Sequence, residues 1–94
     1  LGITGVVDPQ GVLVGVFTDG DLRRIMQLGL EGLQQPIQQV MATEPKRILR
    51  QNLAAKALQI MEAHSITSLF VFADDQEIPV GIVHLHDLLK SGVV

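Results

Sequence analysis

The side chains best suited to chemistry fall at two places, one near each end of the chain. Thr18 and Asp21 stand three apart, with Arg23 and Arg24 just behind them. His84 and Asp87 stand three apart, with His86 between them. A hydroxyl followed three residues later by a carboxylate has two chemical readings. In the first it is a capping box: the hydroxyl accepts from an amide of the first helical turn, and the carboxylate accepts from the amide of the capping residue. In the second it binds a ligand, because helix-start amides and a hydroxyl suit a phosphate and a carboxylate accepts from vicinal hydroxyls. The two readings are compatible, and the residues alone leave both open. His84 either caps a helix or donates to an anion. Donation is easier when it is protonated, and free imidazole titrates near about 6.5.

Arg24 lies at i+3 from Asp21, a spacing that gives a surface pair worth about 0.2–0.5 kcal/mol. Either arginine alternatively reaches an anionic ligand, since guanidinium matches phosphate and carboxylate. His84, His86 and Asp87 invite a metal reading. Residues two and three apart at a helix start converge poorly on one ion, and the remaining histidine, His64, is distant in sequence. No metal site is expected. Asp19-Gly20-Asp21 lacks the downstream ligands of a calcium loop, and no phosphate-binding glycine loop of the P-loop or dinucleotide type occurs. No nucleophile, base and orienting group stand in a recognisable set, so no catalytic residue and no cofactor are expected.

Composition narrows the classes further. The 94 residues carry seven Lys+Arg against ten Asp+Glu, a net charge of -3, so no basic surface points to nucleic acid. Trp and Tyr are absent and Phe occurs three times, which removes most stacking platforms for single strands. With no Cys, disulfides, thiolate-bound zinc and thiol catalysis are excluded. No apolar run approaches the roughly 20 residues of a membrane span, and no signal peptide is visible at the start. A cytoplasmic domain with a modest core is the expectation.

These chemical groups sit on an internal repeat. Gly15-Val16-Phe17-Thr18-Asp19-Gly20-Asp21-Leu22 aligns with Gly81-Ile82-Val83-His84-Leu85-His86-Asp87-Leu88 at an offset of 66 residues. Upstream, Gly2-Ile3-Thr4-Gly5 resembles Ser65-Ile66-Thr67-Ser68 at an offset of 63, the difference falling in a longer turn around Asp74-Asp75-Gln76-Glu77. Each copy reads as strand, turn, strand, helix. In the first copy these are Ile3–Val7, the turn Asp8-Pro9-Gln10-Gly11, Val12–Phe17, and a helix Gly20–Leu28 closed by Gly29. In the second they are Ser68–Phe72, Val80–His84 and Leu85–Lys90. The strands are continuously apolar, which predicts burial on both faces. The second copy also has an upstream strand, Arg47-Ile48-Leu49, and a helix with Asn52 as its N-cap. Ala54, Ala57, Leu58 and Met61 form its apolar stripe, and His64 lies near its C-terminus. Gly29 to Pro36 reads as a linker rich in Gly and Gln.

This arrangement resembles the tandem CBS module. The matching features are the βαββα order, the duplication, and a Gly-apolar-apolar-Thr/Ser-x-x-Asp-apolar signature closing each repeat. Residues 15–22 fit it fully; residues 81–88 depart once, with His84 in place of Thr or Ser. Val40-Met41-Ala42-Thr43 is similar to the Val-Met-x-x opening of a second CBS repeat. The fold implied is α+β, a pair of βαββα repeats with pseudo-two-fold symmetry. Residues 1–36 are then a first repeat truncated at its N-terminus plus linker, and residues 37–94 the second repeat. Within that family, Phe17 to Arg24 and the tail His84 to Val94 look like the end of bacterial arabinose-5-phosphate isomerases.

Further expectations come from the resemblance. An N-terminal sugar-isomerase domain belongs to the parent protein, so the 94 residues themselves are non-catalytic. The family interconverts ribulose 5-phosphate and arabinose 5-phosphate for Kdo and lipopolysaccharide synthesis. The module is expected to sense a nucleotide or nucleotide-sugar between its repeats, either CMP-Kdo or an adenine nucleotide, or else to serve only as a structural oligomerisation module. Thr18 or His84 would contact phosphate, Asp21 or Asp87 ribose hydroxyls, and Arg23 or Arg24 a sugar carboxylate. Thr67 and Ser68 would face the ligand, and Ile48 would contact the base through its backbone and side chain. A homodimer through the helices is expected, with no nucleic acid and no membrane as partner.

Overall fold

The computed structural model describes residues 2–74 and 76–90. Leu1, Asp75 of the longer turn and the tail Ser91 to Val94 lie outside the described residues. The mixed α+β class holds: helices accompany two three-stranded sheets. The chain divides into two compact units, Gly2–Pro45 and the described residues from Lys46 on.

In the first unit β1 (Ile3–Val7) pairs antiparallel with β2 (Leu13–Thr18). The connecting turn forms as its residues predict: Gly11 N–H donates to the Asp8 carbonyl at 2.9 Å, and the Asp8 carboxylate accepts from the amides of Gln10 and Val12. Gly11 takes φ 88, a value open to glycine. From β2 the chain enters α1 (Asp19–Met26), then α2 (Leu30–Leu33), α3 (Ile37–Val40) and β3 (Ala42–Thr43). β3 returns to pair antiparallel with the free side of β2.

The helix expected over Gly20–Leu28 begins one residue early and ends two early. Its end tightens into bonds from Leu28 N–H to the Ile25 carbonyl and from Gly29 N–H to the Met26 carbonyl, the i→i+3 pattern of a closing turn. Gly29 follows at φ 72. The linker is also not plain coil, since it holds α2. Gly32 makes that turn possible, because a Cβ there would run into the Ile25 carbonyl oxygen.

In the second unit β4 (Arg47–Leu49) lies parallel to β5 (Ser68–Phe72), and β5 is antiparallel to β6 (Pro79–His84). The parallel pair needs a crossover, which α4 (Ala54–His64) supplies. α5 (Leu85–Lys90) follows β6. The stripe read from sequence faces the core: Ala57 and Met61 pack with Ile48, Leu69 and Leu88, while Ala54 and Leu58 lie against them. Asn52 does not cap α4. Leu53 is the N-cap, and the Asn52 carboxamide oxygen instead accepts from Leu49 N–H at 2.9 Å. The turn after β4 therefore claims the side chain before the helix begins.

Burial on both strand faces is realised mainly in β5, where Ser68, Leu69 and Phe72 are buried and Phe70 and Val71 half-buried. β6 is mostly exposed over Val80 to Ile82, and Val7 and Val14 are exposed in the first unit. An apolar run records affinity for burial, not the number of layers available to cover it.

α4 ends at Ser65, which takes φ 54 and ψ 44, and Ile66 N–H donates back to the Met61 carbonyl at 3.0 Å. This left-handed end favours glycine. Ser65→Gly is expected to raise stability by about 0.5–1 kcal/mol, the relief of left-handed strain outweighing the entropy of glycine. Urea denaturation checks the sign.

Candidate functional site

Each unit carries one strand-to-helix junction with the chemistry found in the sequence. In the first, β2 delivers Thr18 in extended geometry at the start of α1, with φ -117 and ψ 171. The capping box is complete. Thr18 Oγ1 accepts from Asp21 N–H at 3.2 Å and donates to Asp21 Oδ2 at 3.1 Å, and Thr18 N–H donates to that same oxygen at 2.9 Å. The other carboxylate oxygen of Asp21 holds the Arg24 guanidinium. Asp21 is 6% exposed although charged; a buried carboxylate is tolerable only with donors around it, and here it has three. Arg24 is well exposed, with 69% of its side-chain surface open, so its share of the pairing is small. Arg23 is exposed on the same helix and stands outside this network.

The second junction has the same chain path and different contacts. His84 occupies the position of Thr18, half-buried, and its Nδ1 accepts from His86 N–H at 3.1 Å. His84 N–H donates to Asp87 Oδ2 at 3.1 Å. The imidazoles of His84 and His86 meet edge to face, with centroids 4.8 Å apart. Asp87 is exposed, in contrast to Asp21. Ser68 stands opposite His84 in the β5–β6 register. Among the described residues its Oγ is buried without a hydrogen-bond partner, an unusual condition for a hydroxyl in a native fold. Thr67 is exposed, and its carbonyl accepts from Leu85 N–H at 2.8 Å.

Of the residues singled out in sequence, Thr18, Asp21 and Arg24 thus converge in the first unit, and Thr67, Ser68, His84 and Asp87 gather in the second. Ile48 belongs to neither group, because its side chain is consumed by the core of the second unit. Arg47 carries no local sequence signal of a role. Its guanidinium lies 3.8 Å from the centroid of the Phe72 ring and donates to the Gln76 carbonyl at 2.8 Å. It ties β4 to the turn after β5, a contact set by the β4–β5 register. Among the described residues, no group of three or more His, Asp or Glu side chains is placed to hold a metal ion. No helix among them is long and apolar enough to cross a membrane.

The repeated strand–turn–strand–helix order, with a complete β-α-β-β-α unit from Lys46 on, defines a class. The CBS domain family model matches residues 37–93, and the chain belongs to that family. Its fold is shared with solved CBS proteins. A CBS-domain-containing protein from Agrobacterium tumefaciens superposes with a TM-score of 0.86 at 25% identity, over 98% of this chain and 72% of that one. The CBS domain pair of protein MJ0100, solved with 5′-methylthioadenosine and S-adenosyl-L-methionine, gives 0.80 at 24% identity over 100% and 73%. CBSX2 in complex with AMP gives 0.82 at 18% identity over 99% and 72%.

Among curated relatives, the arabinose 5-phosphate isomerase KdsD of Pseudomonas aeruginosa is 48% identical over the whole chain. The enzyme of the same name from Escherichia coli K12 is 42% identical. The chain spans 28% of the length of each.

Proposed function

We propose that this CBS pair is the regulatory, ligand-sensing part of an arabinose-5-phosphate isomerase and that it binds a nucleotide or nucleotide-sugar. The observation that carries the reading is the 48% identity over the entire chain to a KdsD isomerase. In this reading a sugar-isomerase domain precedes the 94 residues in the parent protein and interconverts ribulose 5-phosphate and arabinose 5-phosphate. The CBS pair alone turns over neither sugar. The repeat boundary lies at residues 36 and 37, although 37–45 packs with the first unit. The parent works in the cytoplasm, as its phosphorylated substrates require.

The ligand assignment rests on the chemistry of the two junctions. Thr18 or His84, with the neighbouring helix-start amides, contacts phosphate. Asp21 or Asp87 accepts from ribose hydroxyls, and Arg23 or Arg24 meets a carboxylate. Thr67 and Ser68 add polar contacts, and Ile48 serves the base through its main chain, since its side chain is in the core. Asp87 is better placed for ribose than Asp21. It is exposed and accepts from one backbone amide, whereas Asp21 is buried under three donors. The unpartnered Ser68 hydroxyl beside His84 favours a polar guest at this junction.

CMP-Kdo carries ribose, phosphate and sugar carboxylate together and is the leading ligand. Adenine nucleotides are the second reading, favoured by the AMP and S-adenosylmethionine complexes of proteins with this fold. The pair is also proposed to form a homodimer through its helices, where Leu53 and Leu89 are exposed.

Isothermal titration of CMP-Kdo, CMP, AMP and ATP into the wild type and Asp87→Ala tests the assignment. The expected result is binding of a cytidine compound, weakened about tenfold or more by the substitution, the effect of losing one charge-assisted hydrogen bond. Binding of AMP or ATP alone transfers the site to the second reading. If none binds while light scattering shows a dimer, the pair is a structural oligomerisation module and the sensing role is wrong.

A further inference from the structure

The two repeats close their strand-to-helix junctions with different chemistry. In the first, the Thr18 hydroxyl accepts from Asp21 N–H and donates to Asp21 Oδ2. A hydroxyl does both at once and has no charge to gain near neutral pH. In the second, His84 stands in that place, and its Nδ1 accepts from His86 N–H at 3.1 Å. A ring nitrogen that accepts carries no proton, so the neutral ring bears its hydrogen on Nε2. Protonation ends the bond, because Nδ1–H and His86 N–H are both donors. The ring must then turn away from the helix start, and it carries two N–H groups and a positive charge.

Ser68 pairs with His84 across β5 and β6, so the two side chains stand beside each other on one face of the sheet. The Ser68 hydroxyl is buried without a partner among the described residues. Residues Ser68–Phe72 of β5 bring no titratable side chain. α5 brings His86, whose ring meets that of His84 edge to face at 4.8 Å, and Asp87, whose carboxylate accepts from His84 N–H at 3.1 Å. Lys90 lies at the far end of that helix. On α4, Glu62 lines a groove with Thr67 and Leu85 that His84 does not line, and Lys56 and His64 are outside that groove. His86 serves the cap through its amide, not its ring. His84 is therefore the group whose protonation changes the bonding of this junction.

We infer that His84 is a proton latch on the second junction. Neutral, its ring caps the start of α5. Protonated, it leaves the cap and, with the Ser68 hydroxyl, holds an oxyanion such as a phosphate group. Binding of that anion takes up a proton and strengthens as pH falls, because a charged donor bonds an anion more strongly than a neutral one. The first junction has no such latch, since Thr18 has no proton to take up in this range. The anion half of the inference rests on the ligand-sensing role proposed for this pair; the capping half does not.

A pH titration followed by nuclear magnetic resonance reads the latch without ligand. It runs from about pH 8 to about pH 5.5, either side of the roughly 6.5 at which free imidazole titrates. At the upper end the His84 ring is expected as the Nε2–H tautomer. On descent the His86 amide proton should move upfield with the same midpoint as the His84 ring carbons. His84→Thr should abolish that step, and His86→Gln should keep it, since residue 86 acts through its amide. Sulfate, whose charge is constant over this range, is the anion probe, titrated at fixed ionic strength. It should bind about fivefold or more tightly at the lower pH, the gain of a charged donor over a neutral one, and His84→Thr should remove the difference. Ser68→Ala should weaken sulfate at the lower pH and leave the amide step in place. An Nδ1–H tautomer at the upper pH overturns the inference, as does an amide step that persists in His84→Thr. So does sulfate affinity that is equal at both pH values or unchanged in Ser68→Ala. If nucleotides bind at neither pH while the amide step and the sulfate dependence are present, the latch stands and the ligand-sensing role is what fails.

Discussion

Replacing Leu69 by alanine is expected to destabilise the second unit by about 2–5 kcal/mol. Leu69 is 1% exposed at the centre of β5, where it packs with Ile48, Ala57, Met61 and Leu88. These neighbours come from β4, α4 and α5, so the cavity left by the lost carbons would be lined from three other elements of the unit at once. None can close it without leaving its own register. In a domain of this size each kcal/mol moves the melting temperature by roughly 4–8 °C, so a fall of at least about 8 °C is expected in a thermal scan. Exchange of the β4 and β5 amides should accelerate with it. Glu77→Ala, in the exposed turn before β6, is the control and should cost less than about 0.5 kcal/mol. Equal losses in the two variants would show that the core is not centred on β5.

The second large effect separates two aspartates that look alike in sequence. Asp21→Ala removes a buried carboxylate that accepts from Thr18 N–H and Thr18 Oγ1 and holds Arg24. The Thr18 amide and hydroxyl are then left without this acceptor in a half-buried place, a loss of about 1–3 kcal/mol. Asp87→Ala removes one exposed bond, from His84 N–H, and should cost only about 0.5 kcal/mol. Urea denaturation of both variants checks the ratio. Comparable losses would mean that the capping box at Thr18 is no more than a surface turn. The contrast also decides which variant suits ligand titration: a weakened complex of Asp87→Ala reports on the site, whereas one of Asp21→Ala also reports on the fold.

Much of the architecture is legible in the residues themselves. The apolar strand runs, the Asp8–Gly11 turn and the Ala54–Met61 stripe are local signals, and the matching signatures at 15–22 and 81–88 reveal the duplication. β1, β4 and β5 fall at their expected bounds, and α5 starts where expected, because these ends are marked by Pro, Gly or a change of hydropathy. The elements that moved are those whose ends depend on contacts. α1 closes early because its last amides bond three residues back, and α2 forms because Gly32 clears the Ile25 carbonyl. Asn52 is a good helix cap by type, yet Leu49 N–H takes its oxygen.

The capping box is likewise a local property: Thr18 and Asp21 are three residues apart in sequence and bond across that spacing alone. What sequence could not determine is which copy buries its carboxylate. Residues 21 and 87 are both Asp at the same place in the repeat. One is buried and holds three donors from its own turn, while the other stands in solvent, a difference that the identical residue type and spacing do not encode. The orphaned Ser68 hydroxyl opposite His84 and the stacking of Arg47 on Phe72 arise from strand registers. So does the cover of Met41 over Gly15, absent at Gly81. Periodicity and spacing therefore determined the repeat and its elements, whereas pairing across distant segments decided which of the repeated groups are sealed, which are open and which lack a partner.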